Sequence, residues 1–271
     1  MNANAKKTKK SYSGVGTAPV VIVACFIIAV CIFKFVLGNP DNFMNGDPNG
    51  HPLPGNMLGT IYKGGVVVPL IQTLLLTVIA LSVERWFALS KAKGKGNTTR
   101  FVINIKEALS ENNIAKAREL CNKQKGSVAN VVYAALVKYE EMEKDNELSK
   151  EQKVLSIQKA LEEATALELP TLEQNLPVVA TLTTLGTLMG LLGTVIGMIK
   201  SFAALANAGS PDSVALSAGI SEALVNTAFG IATAVLALIS YNYFTSKIDT
   251  ISYCIDEVGF SLVQSYAANH K

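Results

Sequence analysis

Between Gln174 and Ile199 the chain reads QNLPVVATLTTLGTLMGLLGTVIGMI, 26 residues without a single charge. A helix of that length measures ~39 Å at ~1.5 Å per residue, more than the ~30 Å hydrocarbon core of a bilayer. The run is therefore predicted to span a membrane. Its composition adds a second constraint, because Thr181, Thr183, Thr184, Thr187 and Thr194 are interspersed with Gly186, Gly190, Gly193 and Gly197. A helix facing only lipid has no need of these residues. Gly186/Gly190 and Gly193/Gly197 form two GxxxG pairs, whose missing side chains let a neighbouring backbone come close. Packing against protein is expected.

Three further runs are long and apolar. Residues 1–18 carry Lys6, Lys7, Lys9 and Lys10 and precede an apolar segment, 19–37, interrupted only by Lys34. Without a small-x-small cleavage site after it, this segment is read as an uncleaved extra span rather than a signal peptide, with the basic start held in the cytosol. Residues 38–63 are dense in Gly, Pro, Asn and Asp, as expected of a turn-rich periplasmic loop, and His51 there reads as a loop residue. The second span is 64–86, and Lys91, Lys93, Lys95 and Arg100 follow it at once, placing that end inside. Residues 87–173 form a cytoplasmic helical domain, with Ile114, Ala117 and Cys121 on one apolar face and Ser149/Gln152 as a capping box for the helix leading to Pro170. The long span (174–201), a short periplasmic turn (202–213), a fourth span (214–246) and an amphipathic cytoplasmic tail (247–271) complete the chain. In the tail, Ile248, Ile251, Ile255 and Val258 share a side. The fold class is all-α: an integral membrane protein whose transmembrane helices extend into a cytoplasmic helical domain.

Composition excludes several functions. The 49% of hydrophobic residues coexist with 17% charged ones, so charge is segregated between spans. A net charge of +3, without interleaved basic and aromatic residues, does not argue for nucleic acid. Two histidines and four cysteines at no ligand spacing leave no metal site expected, and no disulfide framework is indicated. Neither a Cys/His or Ser/His arrangement nor a phosphate-binding loop is present, so no enzyme and no cofactor are expected.

Glu222 is the one carboxylate in the body of the last span, where an ionised group costs on the order of 2.5 to 3.5 kcal/mol on insertion scales. Beyond it, Ala223, Thr227, Gly230, Ala234 and Ala237 follow helical spacing as a narrow small-residue face. Thr187, Gly190, Thr194 and Gly197 trace a comparable stripe on the preceding span. Two such stripes facing one lumen would make a smooth wall with sparse hydroxyls, able to hold a guest helix loosely. The alternatives are that the hydroxyls bond back to carbonyls one turn earlier and that Glu222 sits at the outer interface.

GLLGTVIGMIKSF (190–202) and AGISEALVNTAFGIATAVLALISYN (218–242) resemble the ExbB/TolQ/MotA proton-channel family, and within it ExbB most. The resemblance places the family's pore threonines at Thr194 and Thr227 and its membrane glutamate at Glu222; Gly186, Gly190, Gly193, Gly197 and Gly230 are helix-packing positions by their own spacing. It implies a homopentamer in the bacterial inner membrane whose pore encloses a dimer of single-span ExbD-like subunits. Protons taken up by an aspartate on that partner would energise a TonB-like protein for outer-membrane uptake. A TolQ-like or MotA-like motor for constriction, gliding or rotation, and a non-conducting scaffold, are the alternatives. The chain departs from the three-span form of ExbB and TolQ by its extra first span. Membrane lipid is the expected surrounding, and nucleic acid is not a partner.

Overall fold

The computed structural model describes residues 17–48, 50–206 and 213–270. The basic stretch at residues 1–16 and half of the expected turn, residues 207–212, lie outside the described residues, and residues 202–206 of that turn are helical instead. Among the described residues the chain is helical throughout, with one isolated β-bridge between Phe43 and Pro52. Four helical segments are long and apolar enough to cross a membrane by length and composition, and the chain is a multi-pass membrane protein. The described cysteines are all free.

One body comprises Met1–Thr77 with Met189–Phe229. Helix α1, Ala18–Cys31, continues through a widened π-helical turn, Ile32–Leu37. Its outward side chains, among them Val20, Val23, Phe26, Ile27 and Phe35, are exposed apolar groups suited to lipid. Within the turn-rich segment 38–63, one buried side chain gathers several contacts. Asn42 donates to the carbonyls of Val36 (2.8 Å) and Leu37 (3.1 Å) and accepts from Asn56 Nδ2 (3.1 Å). Asn56 in turn caps a short helix, α2 (Met57–Tyr62), by accepting from the amides of Leu58 and Gly59. Tyr62 stacks on Phe33 at 4.7 Å, tying this segment to the end of α1. Lys63 reaches the Pro48 carbonyl at 2.9 Å, and burial lowers its pKa.

Helix α3, Val67–Ala92, begins three residues later than the expected span, because Gly64 and Gly65 form a turn in which Gly65 takes φ +74°. Its end, with α4 (Thr98–Ser110), α5 (Ile114–Gln124), α6 (Gly126–Lys144) and α7 (Lys150–Glu173), belongs to the second body, Val78–Leu188 with Gly230–Lys271. Three of these helices, α4, α5 and α7, start where a side chain satisfies free amides of the first turn, whereas α6 has no side-chain cap. Asn97 and Asn113 cap α4 and α5, and Ser149 with Gln152 forms a reciprocal capping box at 2.9 and 3.3 Å. Ile114, Ala117 and Cys121 join Ile105, Val132, Leu136 and Tyr139 in one core. Cys121 is deep enough in it that burial pushes its thiol up to about 12.

Between α7 and α8 (Leu176–Ala206) the chain breaks at Asn175, which adopts φ +66°, so Pro170 remains inside α7. Arg85, 2% exposed, braces this break. Its Nη1 donates to the carbonyls of Thr171 and Leu172, both at 3.3 Å, which lie in the last turn of α7 where no helical donor remains. Glu84 pairs with the same guanidinium and accepts from Asn175 Nδ2 at 3.3 Å.

The final helix, α9, runs unbroken from Ser213 to Asn269. A separate tail after Lys247 was the expectation. Nothing in 247–258 interrupts helical hydrogen bonding, and Ile248, Ile251, Ile255 and Val258 are all buried in the second body's core. At ~1.5 Å per residue these 57 residues measure ~85 Å, far more than a ~30 Å hydrocarbon core requires.

Candidate functional site

Helices α8 and α9 meet through glycine. In the first body, a Cβ at Gly193 would lie 2.7 Å from Asn226 Cγ, and one at Gly197 would lie 2.7 Å from the Gly219 carbonyl and 2.8 Å from the Ala223 amide. In the second body, a Cβ at Gly186 would stand 3.1 Å from both the Gly230 carbonyl and the Ala234 amide. Gly190 and Gly230 are buried as well. The helices approach so closely that a side chain at these glycines would collide with the facing helix.

This close approach sets the hydroxyls together. Thr194 and Thr227, both half-buried, form a direct hydroxyl–hydroxyl hydrogen bond across the two helices. Each hydroxyl also reaches a carbonyl one turn back, Thr194 to Gly190 (3.2 Å) and Thr227 to Ala223 (3.1 Å). The surface along both helices is apolar: Leu191, Val195, Leu224 and Ile231 are more than half exposed. The hydroxyl pair thus interrupts an otherwise apolar surface.

The two stripes read from helical spacing do not lie side by side on an open wall. Ala223, Gly230, Ala234 and Ala237 are buried, and Thr187 points outward with its hydroxyl bonded back to Thr183 at 3.3 Å. The small residues are used up in packing, because a glycine seam brings the opposing backbone onto them.

Glu222 stands one turn from Asn226 and away from the threonines' hydroxyls. It is 7% exposed and accepts from Lys200 Nζ at 2.6 Å. Lys200 lies in the last two turns of α8 and Glu222 in the third turn of α9, so the pair sits toward the end where these helices are connected. The half-exposed lysine neutralises a carboxylate that would otherwise be expensive in an apolar surrounding. Gly65 closes over it, since a Cβ there would lie 3.0 Å from Glu222 Cδ. Next to it, fully buried Asn226 donates to the Gly64 carbonyl at 2.8 Å, while its Oδ1 has no donor among the described residues. The sequence places Asn226 one turn beyond Glu222, but its bond to Gly64 and the parts of Lys200 and Gly65 were missed. A lysine on the preceding span at the level of the glutamate was the one available signal.

Residues 124–257 match the sequence model of the MotA/TolQ/ExbB proton channel family. The Tol-Pal system protein TolQ of Haemophilus influenzae is 34% identical over 84 residues, 31% of this chain and 37% of that protein. Its counterpart TolQ from Pseudomonas aeruginosa is 40% identical over 76 residues, 28% of this chain and 33% of that protein. The biopolymer transport protein ExbB of Salmonella typhimurium is 33% identical over 79 residues, 29% of this chain and 32% of that protein. The matched segments thus span about a third of the length of these relatives. With the family match running from the end of α5 into α9, the chain belongs to the MotA/TolQ/ExbB proton channel family.

Proposed function

We propose that this chain is an ExbB-like subunit of a proton-driven motor in the bacterial inner membrane, with its lysine-rich start and its C-terminal tail in the cytosol. Five copies would surround a dimer of single-span ExbD-like subunits, and proton passage would energise a TonB-like protein for outer-membrane uptake. The observation that carries the reading is the Thr194–Thr227 hydroxyl pair at the edge of an apolar surface, each threonine lying in a charge-free stretch of its helix, 174–199 and 223–246. A carboxylic acid on a guest helix would find two hydroxyls there and no competing charge, which suits a group that must gain and lose a proton in an apolar channel. Glu222, compensated by Lys200, takes the role of a fixed charge pair toward the outer mouth. The chain itself supplies walls and electrostatics, and no bond-making chemistry is ascribed to it.

The test is proton flux into liposomes carrying the complex co-expressed with its neighbouring single-span subunit. Thr194→Val with Thr227→Val keeps shape and removes both hydroxyls, so flux is expected to fall at least ~10-fold, in line with the loss of ~1.4 kcal/mol of barrier stabilisation. Wild-type flux in that variant would sink the hydroxyl role. A second reading draws on the hydroxyls' bonds to Gly190 and Ala223, which already satisfy them within the chain. On that reading the subunit is a non-conducting scaffold, and wild-type complexes would carry no partner-dependent flux. Relatives named TolQ and ExbB both match, so a Tol-type motor is a variant of the first reading. A TonB-like protein retained on co-purification favours uptake, and its absence alongside a peptidoglycan-binding partner favours the Tol-type task.

A further inference from the structure

The second body contains a cavity of about 470 Å³ between the end of α3, the turn into α4 and the middle of α9. Its volume falls in the range of small-ligand sites, ~300–1,000 Å³. Three features of its walls define what it can hold.

The first is position. Trp86 and Tyr243 stack at the cavity's edge, nearly parallel, with centroids 6.0 Å apart. They stand just past the charge-free run of α3 and at the end of that of α9. Tryptophan and tyrosine at the ends of spanning helices are the side chains that settle at headgroup level. The second is charge. Lys93 and Lys247 line the cavity and no carboxylate does. Neither lysine pairs with an acid among the described residues, and Lys247 Nζ lies 5.5 Å above the Tyr243 ring. The third is polarity by depth. The floor is apolar, from Leu89, Phe244 and Ile251, all buried, while the exposed lining residues Ser90 and Thr99 carry hydroxyls and that of Thr250 is already donated to the Ser246 carbonyl at 2.8 Å. The amides of Thr99 and Arg100 are already taken by the Asn97 cap, so an anion would be held by side chains rather than by the start of α4.

We infer that this cavity binds the phosphodiester headgroup of an anionic glycerophospholipid from the lysine-rich leaflet. The phosphate is met by Lys93 and Lys247 with the hydroxyls of Ser90 and Thr99, and the glycerol and upper acyl carbons lie on the apolar floor against Trp86. An inorganic phosphate would satisfy the lysines but leave that floor wet, which selects the lipid over the free anion. The site fixes the α3–α4 turn and α9 to the membrane surface, independently of what the neighbouring helices conduct.

The full-length protein, purified in mild detergent, is mixed with phosphatidylglycerol, with phosphatidylcholine, or with inorganic phosphate. Retained lipid is counted by native mass spectrometry, and the melting temperature is followed in parallel. Phosphatidylglycerol is expected to remain bound and raise the melting temperature, and phosphatidylcholine and phosphate to do neither. Lys93→Gln with Lys247→Gln should weaken retention by roughly fivefold per lysine, the worth of one basic residue near an anionic surface. The control Lys123→Gln with Lys159→Gln removes the same charge from two surface-exposed sites elsewhere and should leave retention unchanged. Equal retention by the wild type and the Lys93/Lys247 variant overturns the site. Equal loss in the control variant reduces the effect to net charge and also overturns it. Stabilisation by inorganic phosphate as large as by the lipid overturns the headgroup assignment.

Discussion

Lys200 Nζ lies 2.6 Å from Glu222 Oε1, and the two side chains are unequal in environment, 51% exposed for the lysine and 9% for the glutamate. That inequality decides which deletion is costly. Lys200→Met leaves a buried carboxylate without its cation, whereas Glu222→Gln leaves a lysine free to reach water. The expected order of stability is wild type, then Glu222→Gln close to the Lys200→Met/Glu222→Gln pair, then Lys200→Met alone. The single lysine variant should lose roughly 1–3 kcal/mol, less than a fully buried pair because the ammonium is half-solvated. Detergent-phase thermal unfolding of the four proteins forms a double-mutant cycle. Additive effects would mean that the pair is not an energetic unit.

The glycine seam grades its own substitutions by what each Cβ would strike. At Gly197 the obstacles are backbone atoms of Gly219 and Ala223, which can yield only if the helices separate. Gly186 has 3.1 Å to backbone on the facing helix, a smaller displacement. Gly197→Ala should therefore lower the melting temperature more than Gly186→Ala, with a cost of about 1–3 kcal/mol for the former. Gly65→Ala adds a left-handed φ to its contact with Glu222 and belongs with the severe class. Equal melting temperatures for Gly186→Ala and Gly197→Ala would contradict the seam as described.

Local chemistry in this chain is written in short spacings, and those were legible. Ser149 and Gln152 three apart make a capping box, and Ile114, Ala117 and Cys121 on one helical face are all buried. Long-range pairing was not. Lys200 and Glu222 are 22 residues apart across a reversal of the chain, and helical spacing carries no register between two helices. Asn42 reads as one more turn-former among Gly, Pro and Asp, although its amide ties the end of the first helical segment to Asn56. A buried asparagine and a solvated one are the same letter, and only the carbonyls around it distinguish them. Nor does a charge-free run reveal which small residues meet a neighbour, so the stripe ending at Ala237 could be read as an open wall.

Cys121 tests the packing of α4, α5 and α6 directly. Its thiol is 3% exposed and burial pushes it up to about 12, so a thiol-specific alkylating reagent at pH 8 should leave it unmodified in the folded protein. Unfolding in denaturant should expose it to full labelling, read by peptide mass spectrometry. The linkage runs with the same sign. An unfolded thiol ionises near pH 9 and the folded one near 12, so the folded state holds the extra proton in between. This contribution to stability is complete below pH 9 and declines as pH rises from 9 to 12. Rapid labelling of native protein at pH 8 would contradict the packed core.

Arg85 offers the sharpest test of the break between α7 and α8. Its guanidinium serves the Thr171 and Leu172 carbonyls and the Glu84 carboxylate at once, which a single planar fork can do and a point-charge ammonium cannot. Arg85→Lys should recover the ion pair but only one carbonyl, and Arg85→Met neither. Each abandoned buried carbonyl costs about 1–3 kcal/mol, so melting temperatures are expected to fall in the order wild type, Arg85→Lys, Arg85→Met. A hydrophobic side chain can compensate a lost buried charge through packing, which makes melting temperature alone insufficient. Amide hydrogen exchange separates the two effects, because a freed junction should exchange faster across residues 171–178 while α6 stays protected. Unchanged exchange there in Arg85→Met would mean that the left-handed Asn175 holds the break without the arginine's help.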